Sequence, residues 1–352
     1  MAMTPELLAL AAGLGEALHG QDLQRGAYAR VSAGGGVFSS CRMGQVDFRE
    51  ADLRETLFDH CDLTGALLSG AQLRHAVFHR CILDHADLRQ AQLQGATFAD
   101  CFMGHVQLAD SALGMTKFSG SDLSHSSLRG AVLDGTLFTR CKLLDANADQ
   151  TEWRHVVWTA CDLTAMTWSG ARWTRVVFHE TPLPAKDFSG LVLEGCQFTA
   201  CDLSGSRFVG ARLAQCNFQS AQLKGVDFSN VHAPHALFCE AQGEGVVFVR
   251  AHLHQALFTQ ARLPGARFDG AHLHQTHFAQ AQLAGARFND CELTYADFRH
   301  ADLTRADLRG AVMFRTCLHG TQTTDAQFSD RARALETDPD LAQAERWKPS
   351  MA

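Results

Sequence analysis

Residues 48–68 read FREADLRETLFDHCDLTGALL. Phe48, Leu53, Phe58, Leu63 and Leu68 stand five apart, and two residues before these centres come small side chains such as Ala51, Cys61 and Ala66. Working outward, the same frame runs without insertion from Phe38 to Phe328, 59 positions in all, of which Leu or Phe fills 48. Met43, Met103, Met313, Trp153, Trp158, Trp168 and Trp173 take seven more, and only Ala148, Ala233, Gly243 and Thr323 depart. Of the 23 Phe, 21 lie in this frame, so the period rather than composition places the aromatics.

A period of five suits neither the 3.6 of a helix nor the 2.0 of a flat strand. It suits a chain that turns a corner every five residues and sends one large and one small side chain inward each time. Glycine is frequent two residues after the centre, as at Gly65, Gly95, Gly130 and Gly265. There it allows positive φ in a tight corner without steric cost. Segments such as Ala51-Asp52-Leu53-Arg54 and Ala301-Asp302-Leu303-Thr304 resemble the A(D/N)LXX motif of the pentapeptide-repeat family, over residues 36–330. The resemblance implies an all-β solenoid: a right-handed quadrilateral parallel β-helix with four repeats per coil, here about 15 coils. If a coil holds 20 residues, positions 20 apart stack. Phe178, Phe198, Phe218 and Phe258 then share one column, with Trp158 completing it.

Solenoid ends need covers over their apolar cross-sections. Residues 1–35 read as an N-terminal cap helix and lead-in, with the helix over 4–19 started by Thr4-Pro5-Glu6 and lined by Leu7, Leu10, Ala11, Leu14 and Leu18. Residues 331–352 read as a short helical tail whose Leu341, Ala344 and Trp347 share a face. That tail either caps the last coil or pairs with a second copy, giving a homodimer. Within the core, Ala148 leaves room that the oversized Trp168, one coil later, is expected to fill. Ala233 and Gly243, with Pro234 nearby, mark residues 231–247 as the place where a binding notch would form.

Composition narrows the function. Net charge is −7 with 20% charged residues, and no stretch is basic enough to follow a nucleic-acid backbone. The start has Glu6 inside its apolar run and no preceding cations, unlike a secretory leader, and no run reaches membrane-spanning length. Ten of the twelve cysteines occupy the small inward position. They are expected to be reduced, inert thiols packed as small hydrophobes, which points to the cytoplasm.

No nucleophile–base set, phosphate loop or metalloprotease motif is present, so no catalytic residue and no cofactor is expected. The strongest metal candidate is a repeated pair. Ala251-His252-Leu253-His254-Gln255 recurs as Ala271-His272-Leu273-His274-Gln275. Imidazoles so spaced suit Zn²⁺, Cu²⁺ or Ni²⁺, while duplication of one coil explains the pattern without any ligand. His85, His105 and His125 form a second column. Arg299, Arg305, Arg309 and Arg315 alternate with Asp297, Asp302 and Asp307, the pattern of a salt-laced solvated face.

The resemblance also carries a function: family members imitate DNA and inhibit or protect gyrase and topoisomerase IV. This chain departs from them in having no loops within the frame and a weak, dispersed negative charge. The expected function is therefore a non-enzymatic scaffold or adaptor that presents a rigid surface to a protein partner. Pentapeptide-repeat modules also occur beside bacterial secretion machinery, so service as a secretion accessory is one form of it. A topoisomerase inhibitor or protector is the alternative.

Overall fold

The computed structural model describes residues 3–347. The chain divides into two compact units, Met1–Pro182 and Leu183–Ala352. Both are right-handed parallel β-solenoid, about 16 turns in the whole chain.

In the first unit helix α1 spans Pro5–Gly13, with the Thr4 side chain accepting from the Leu7 N–H. It is shorter than the sequence suggested. Leu18 belongs to the five-residue frame, and Ala17–His19 pairs in parallel with Val37–Ser39. The cross-rung hydrogen bonds available to Leu18 outcompete one more helical turn, so the lead-in forms an extra coil. The buried stripe is Leu8, Ala11 and Ala12, while Leu10 and Leu14 are exposed.

From there the backbone repeats every 20 residues. Three-residue strands at 17–19, 37–39, 57–59, 77–79, 97–99, 117–119, 137–139, 157–159 and 177–179 stack into one parallel sheet. Their register pairs Phe38 with Phe58, Phe58 with Phe78, and so on. Stacked Phe rings lie 4.7–5.2 Å apart and within 9° of parallel from Phe38 to Phe138, and Trp158 continues the stack at 4.0 Å. A second parallel sheet includes Val132–Asp134, Glu152–Arg154 and Arg172–Thr174.

Nearly every corner places its residue in the left-handed region, and glycine is not required. Glu50, His85 and Gln150 have φ of 56°, 59° and 59°. A non-glycine residue there costs about 1 kcal/mol, offset because the corner N–H bonds the next coil, as from Glu50 N–H to Ser69 O at 3.0 Å.

In the second unit the same frame continues through parallel bridges 20 apart, such as Asp187 to Arg207 and His252 to His272. Its core holds two Phe columns. Phe198, Phe218, Phe238, Phe258, Phe278 and Phe298 form one, and Phe188, Phe208, Phe228, Phe248, Phe268 and Phe288 the other. Rings stack within a column and meet edge-on between columns, for example Phe218 to Phe228 at 5.4 Å and 79°. Helix α2, Pro339–Arg346, follows the last coil. It buries none of its residues, and Leu341, Ala344 and Trp347 are exposed. The expected tail extends to 352, and residues 348–352 lie outside the described residues.

Candidate interaction surfaces

The inward frame removes its own residues from surface chemistry. Phe178, Phe198, Phe218, Phe258, Trp158 and Trp168 are all buried. Trp168 meets Trp173 edge-on at 5.4 Å, and Trp153 stacks on Trp173 at 4.4 Å. Gly243 lies in the stretch 231–247 where a notch was expected. A Cβ there would lie 2.6 Å from the Leu223 carbonyl carbon, so the chain draws inward against the preceding coil. A polar groove of about 430 Å³ opens there, lined by Glu240 and Gln242 of that stretch together with Gln260, Arg262, Gln280 and Gln282.

The cysteines are free, and most are buried. Their column in the first unit does more than fill space. At these corners Cys61 Sγ lies 3.4 Å from the Phe38 carbonyl and Cys81 Sγ 3.3 Å from that of Phe58. Ser121 Oγ makes the same bond to Phe98 O at 3.2 Å and accepts from the Cys101 N–H at 3.1 Å. Thr181 Oγ1 accepts from Cys161 N–H. The column 41, 61, 81, 101, 121, 141, 161, 181 reads Cys, Cys, Cys, Cys, Ser, Cys, Cys, Thr. Every member carries a γ heteroatom, a signal that a small-residue reading passes over. Burial pushes the Cys101 thiol up to about 11 and those of Cys201 and Cys291 to about 12, so they stay protonated and unreactive at neutral pH.

His252 stacks on His272 with ring centroids 4.5 Å apart, and His254 on His274 at 5.2 Å. The two pairs flank the inward Leu253 and Leu273. Burial, with help from His272 and His232, holds His252 below the usual imidazole value. His85, His105 and His125 also stack, at 4.6 and 4.8 Å. Among the described residues, three ligating atoms come within 4.8 Å of one another elsewhere: at Asp59, His60 and His79, and at His300, His319 and Glu345. The first trio was legible in principle, because 59 and 79 are one coil apart. The second depends on where the tail docks.

That second cluster fastens α2. His319 is buried, and its Nδ1 accepts the Asp338 N–H at 3.1 Å. Its Nε2 therefore carries the proton and donates to Glu345 Oε2 at 3.2 Å, while His300 Nε2 lies 3.2 Å from Glu345 Oε1. Beside this clamp opens a cavity of about 840 Å³, with Tyr295, Cys317, Leu335 and Leu341 among its lining. Val312, Phe314, Leu335, Leu341 and Trp347 leave apolar surface exposed in these last coils. Two of the basic residues nearby are paired: Arg299 bonds Asp297 and Arg309 bonds Asp307, each at 2.7 Å. Among the described residues no helix is long and apolar enough to cross a membrane.

Comparison with known proteins agrees with this architecture. Models described as pentapeptide repeat region match residues 76–148 and, in overlapping segments, 171–328, and a model of pentapeptide repeats in eight copies matches 37–70. A search of curated proteins finds no significant match. Among solved structures the chain is similar to HetL, a pentapeptide repeat protein involved in heterocyst differentiation regulation in the cyanobacterium Nostoc sp., at 22% identity, covering 66% of this chain and 92% of HetL with a TM-score of 0.25. It is also similar to QnrB1, a plasmid-mediated fluoroquinolone resistance protein, at 15% identity, covering 72% of this chain and 89% of that one with a TM-score of 0.28. A third is Rfr23 from the cyanobacterium Cyanothece, at 15% identity, covering 45% and 91%, with a TM-score of 0.11. With family models covering well over half of its length, this chain belongs to the pentapeptide-repeat family.

Proposed function

We propose that the chain is a non-enzymatic scaffold or adaptor, and that a protein partner docks on its last coils. One observation carries the reading. Tyr295, Leu335 and Leu341 are exposed in the lining of a preformed cavity, and Val312 and Phe314 in the last coils and Trp347 after α2 expose further apolar surface. Exposed aromatic and aliphatic groups beside a cavity are what partner proteins bury as anchors. The occupant that fits is a short apolar segment of another protein. The buried free thiols suit the cytoplasm, and service to a bacterial secretion system is one form of such an adaptor.

A photo-cross-linking residue at Leu335, with one at Gln282 as control, tests this in the cells that express the protein. The expected result is a discrete adduct from position 335 that disappears with Phe314→Asp. Adducts to a second copy would replace the partner with a homodimer. Equal labelling at both positions, or none, would overturn the reading. The topoisomerase alternative has little support in charge, since −7 over 352 residues is far from a duplex mimic. Inhibition or protection of gyrase in a supercoiling assay would restore it.

A further inference from the structure

We propose that Asp59, His60 and His79 form an open site for a borderline divalent transition-metal cation, Zn²⁺ or its analogues Co²⁺ and Ni²⁺. The three side chains are brought together by backbone geometry rather than by their own flexibility. Asp59 pairs with His79 in the parallel register of strands 57–59 and 77–79. His60 is the next corner, at φ 52°, and its N–H donates to His79 O at 2.9 Å. Three potential ligands thus sit on a fixed frame, so little ordering is needed on binding.

The ligating atoms converge. His79 Nδ1 lies 2.7 Å from Asp59 Oδ1, and His60 Nδ1 lies 3.0 Å from the same oxygen. A cation with bonds of about 2.0–2.2 Å holds its ligands roughly 3.3–3.5 Å apart, so a shift of under about 1 Å exchanges hydrogen bonds for coordination. Side-chain exposures of 33% for Asp59, 49% for His60 and 37% for His79 give a cation access without opening the core. Three protein ligands leave further coordination positions to water.

The donor set selects the metal. Two imidazoles and one carboxylate suit Zn²⁺, Co²⁺ or Ni²⁺, whereas Ca²⁺ and Mg²⁺ call for oxygen ligands. The neighbouring thiols do not contribute, because Cys61 and Cys81 are buried with Sγ against the Phe38 and Phe58 carbonyls. The cluster at His300, His319 and Glu345 lacks this capacity. His319 Nδ1 already accepts a backbone N–H, so Nε2 cannot give up its proton to a metal without leaving that donor facing an N–H.

Calorimetric titration of the full chain with Zn²⁺, repeated with Co²⁺ for its visible spectrum, tests the site. The expected result is one site per chain at micromolar affinity or better, with a Co²⁺ spectrum free of sulfur charge-transfer bands. His79→Ala and the near-isosteric Asp59→Asn should each weaken binding by about 100-fold or more. Both residues point outward, so the metal-free melts should match that of the parent chain. A His252→Ala/His272→Ala double variant should bind like the parent. The inference is overturned by a Kd no tighter than roughly 100 μM, by unchanged affinity in both single variants, by loss of binding in the double variant, or by a thiolate band.

Discussion

The two units use one five-residue frame but close their corners differently. In the second unit the residue after the Phe corner is Cys201 and then Ala221, Ala241, Ala261, Ala281 and Ala301. The turn bonds itself there, as with Ala221 N–H to Phe218 O at 3.1 Å and Ala261 N–H to Phe258 O at 3.0 Å. In the first unit the corresponding chain is extended. The Cys101 and Cys161 N–H groups reach Ser121 Oγ and Thr181 Oγ1 of the next coil, and side-chain thiols and hydroxyls bond the Phe carbonyls. In this first-unit column a residue that looks like filler in sequence also bonds the neighbouring coil, whereas Cys201 in the second unit sits at a turn that bonds itself, its N–H to Phe198 O at 3.1 Å. The cores differ too. In the first unit the Phe column faces mostly Leu, whereas in the second two Phe columns interlock edge-on.

The largest expected effect tests what the units share. Phe198→Asp places a carboxylate among buried rings and should cost several kcal/mol or force the group neutral. Arg262→Gln, outward and between Gln242 and Gln282, should leave the melt unchanged. Similar losses for both would mean that the frame is misassigned.

Next comes the difference between the cores. Phe98 has stacked neighbours, while Phe218 adds edge-on contacts to Phe208 and Phe228. Since an aromatic pair contributes about 0.5–1.5 kcal/mol beyond burial, Phe218→Leu should cost about 1–2 kcal/mol more than Phe98→Leu in denaturant melts. Equal costs would make the edge-on contacts energetically idle.

Most of the frame was legible because burial depends on side-chain size, which the sequence shows directly. The side-chain bonds at the first unit's corners were not, because Cys was read for volume and its Sγ as a hydrogen-bonding group was passed over. The extent of α1 was misread because Leu18 satisfies both a helical stripe and the five-residue period, and only pairing with Phe38 decides between them. The His patch was found as two stacked pairs. The Asp59, His60 and His79 trio went unnoticed because only the folded corner turns His60 toward its neighbours. The clamp at Glu345 could not be read at all, since nothing in the sequence aligns residue 345 with His300 and His319.

A smaller effect concerns thiols in both units. Titration of native protein near pH 8 should count few of the twelve cysteines, with the rest appearing on unfolding. Fast labelling of Cys101 or Cys201 would contradict their burial. Smaller still is the acid limb. Burial opposes ionisation of Asp297, but hydrogen bonds from the Arg299 side chain and backbone hold its pKa below the usual value. A depressed folded pKa contributes stability above the unfolded value of about 3.9, lost as pH falls through the folded one. Arg299→Ala should therefore cost up to about 1 kcal/mol near pH 7, a difference that vanishes in strong acid. A difference independent of pH would assign the loss to packing.

The claim that side-chain donors hold the extended corners is tested most directly at Ser121. Ser121→Ala removes the acceptor for the Cys101 N–H and the donor to Phe98 O, and stability in urea should fall by about 1–3 kcal/mol. The opposite exchange, Ala221→Ser, falls where the turn bonds itself and should change stability by under about 1 kcal/mol. A neutral Ser121→Ala, or equal losses in the two variants, would contradict the account.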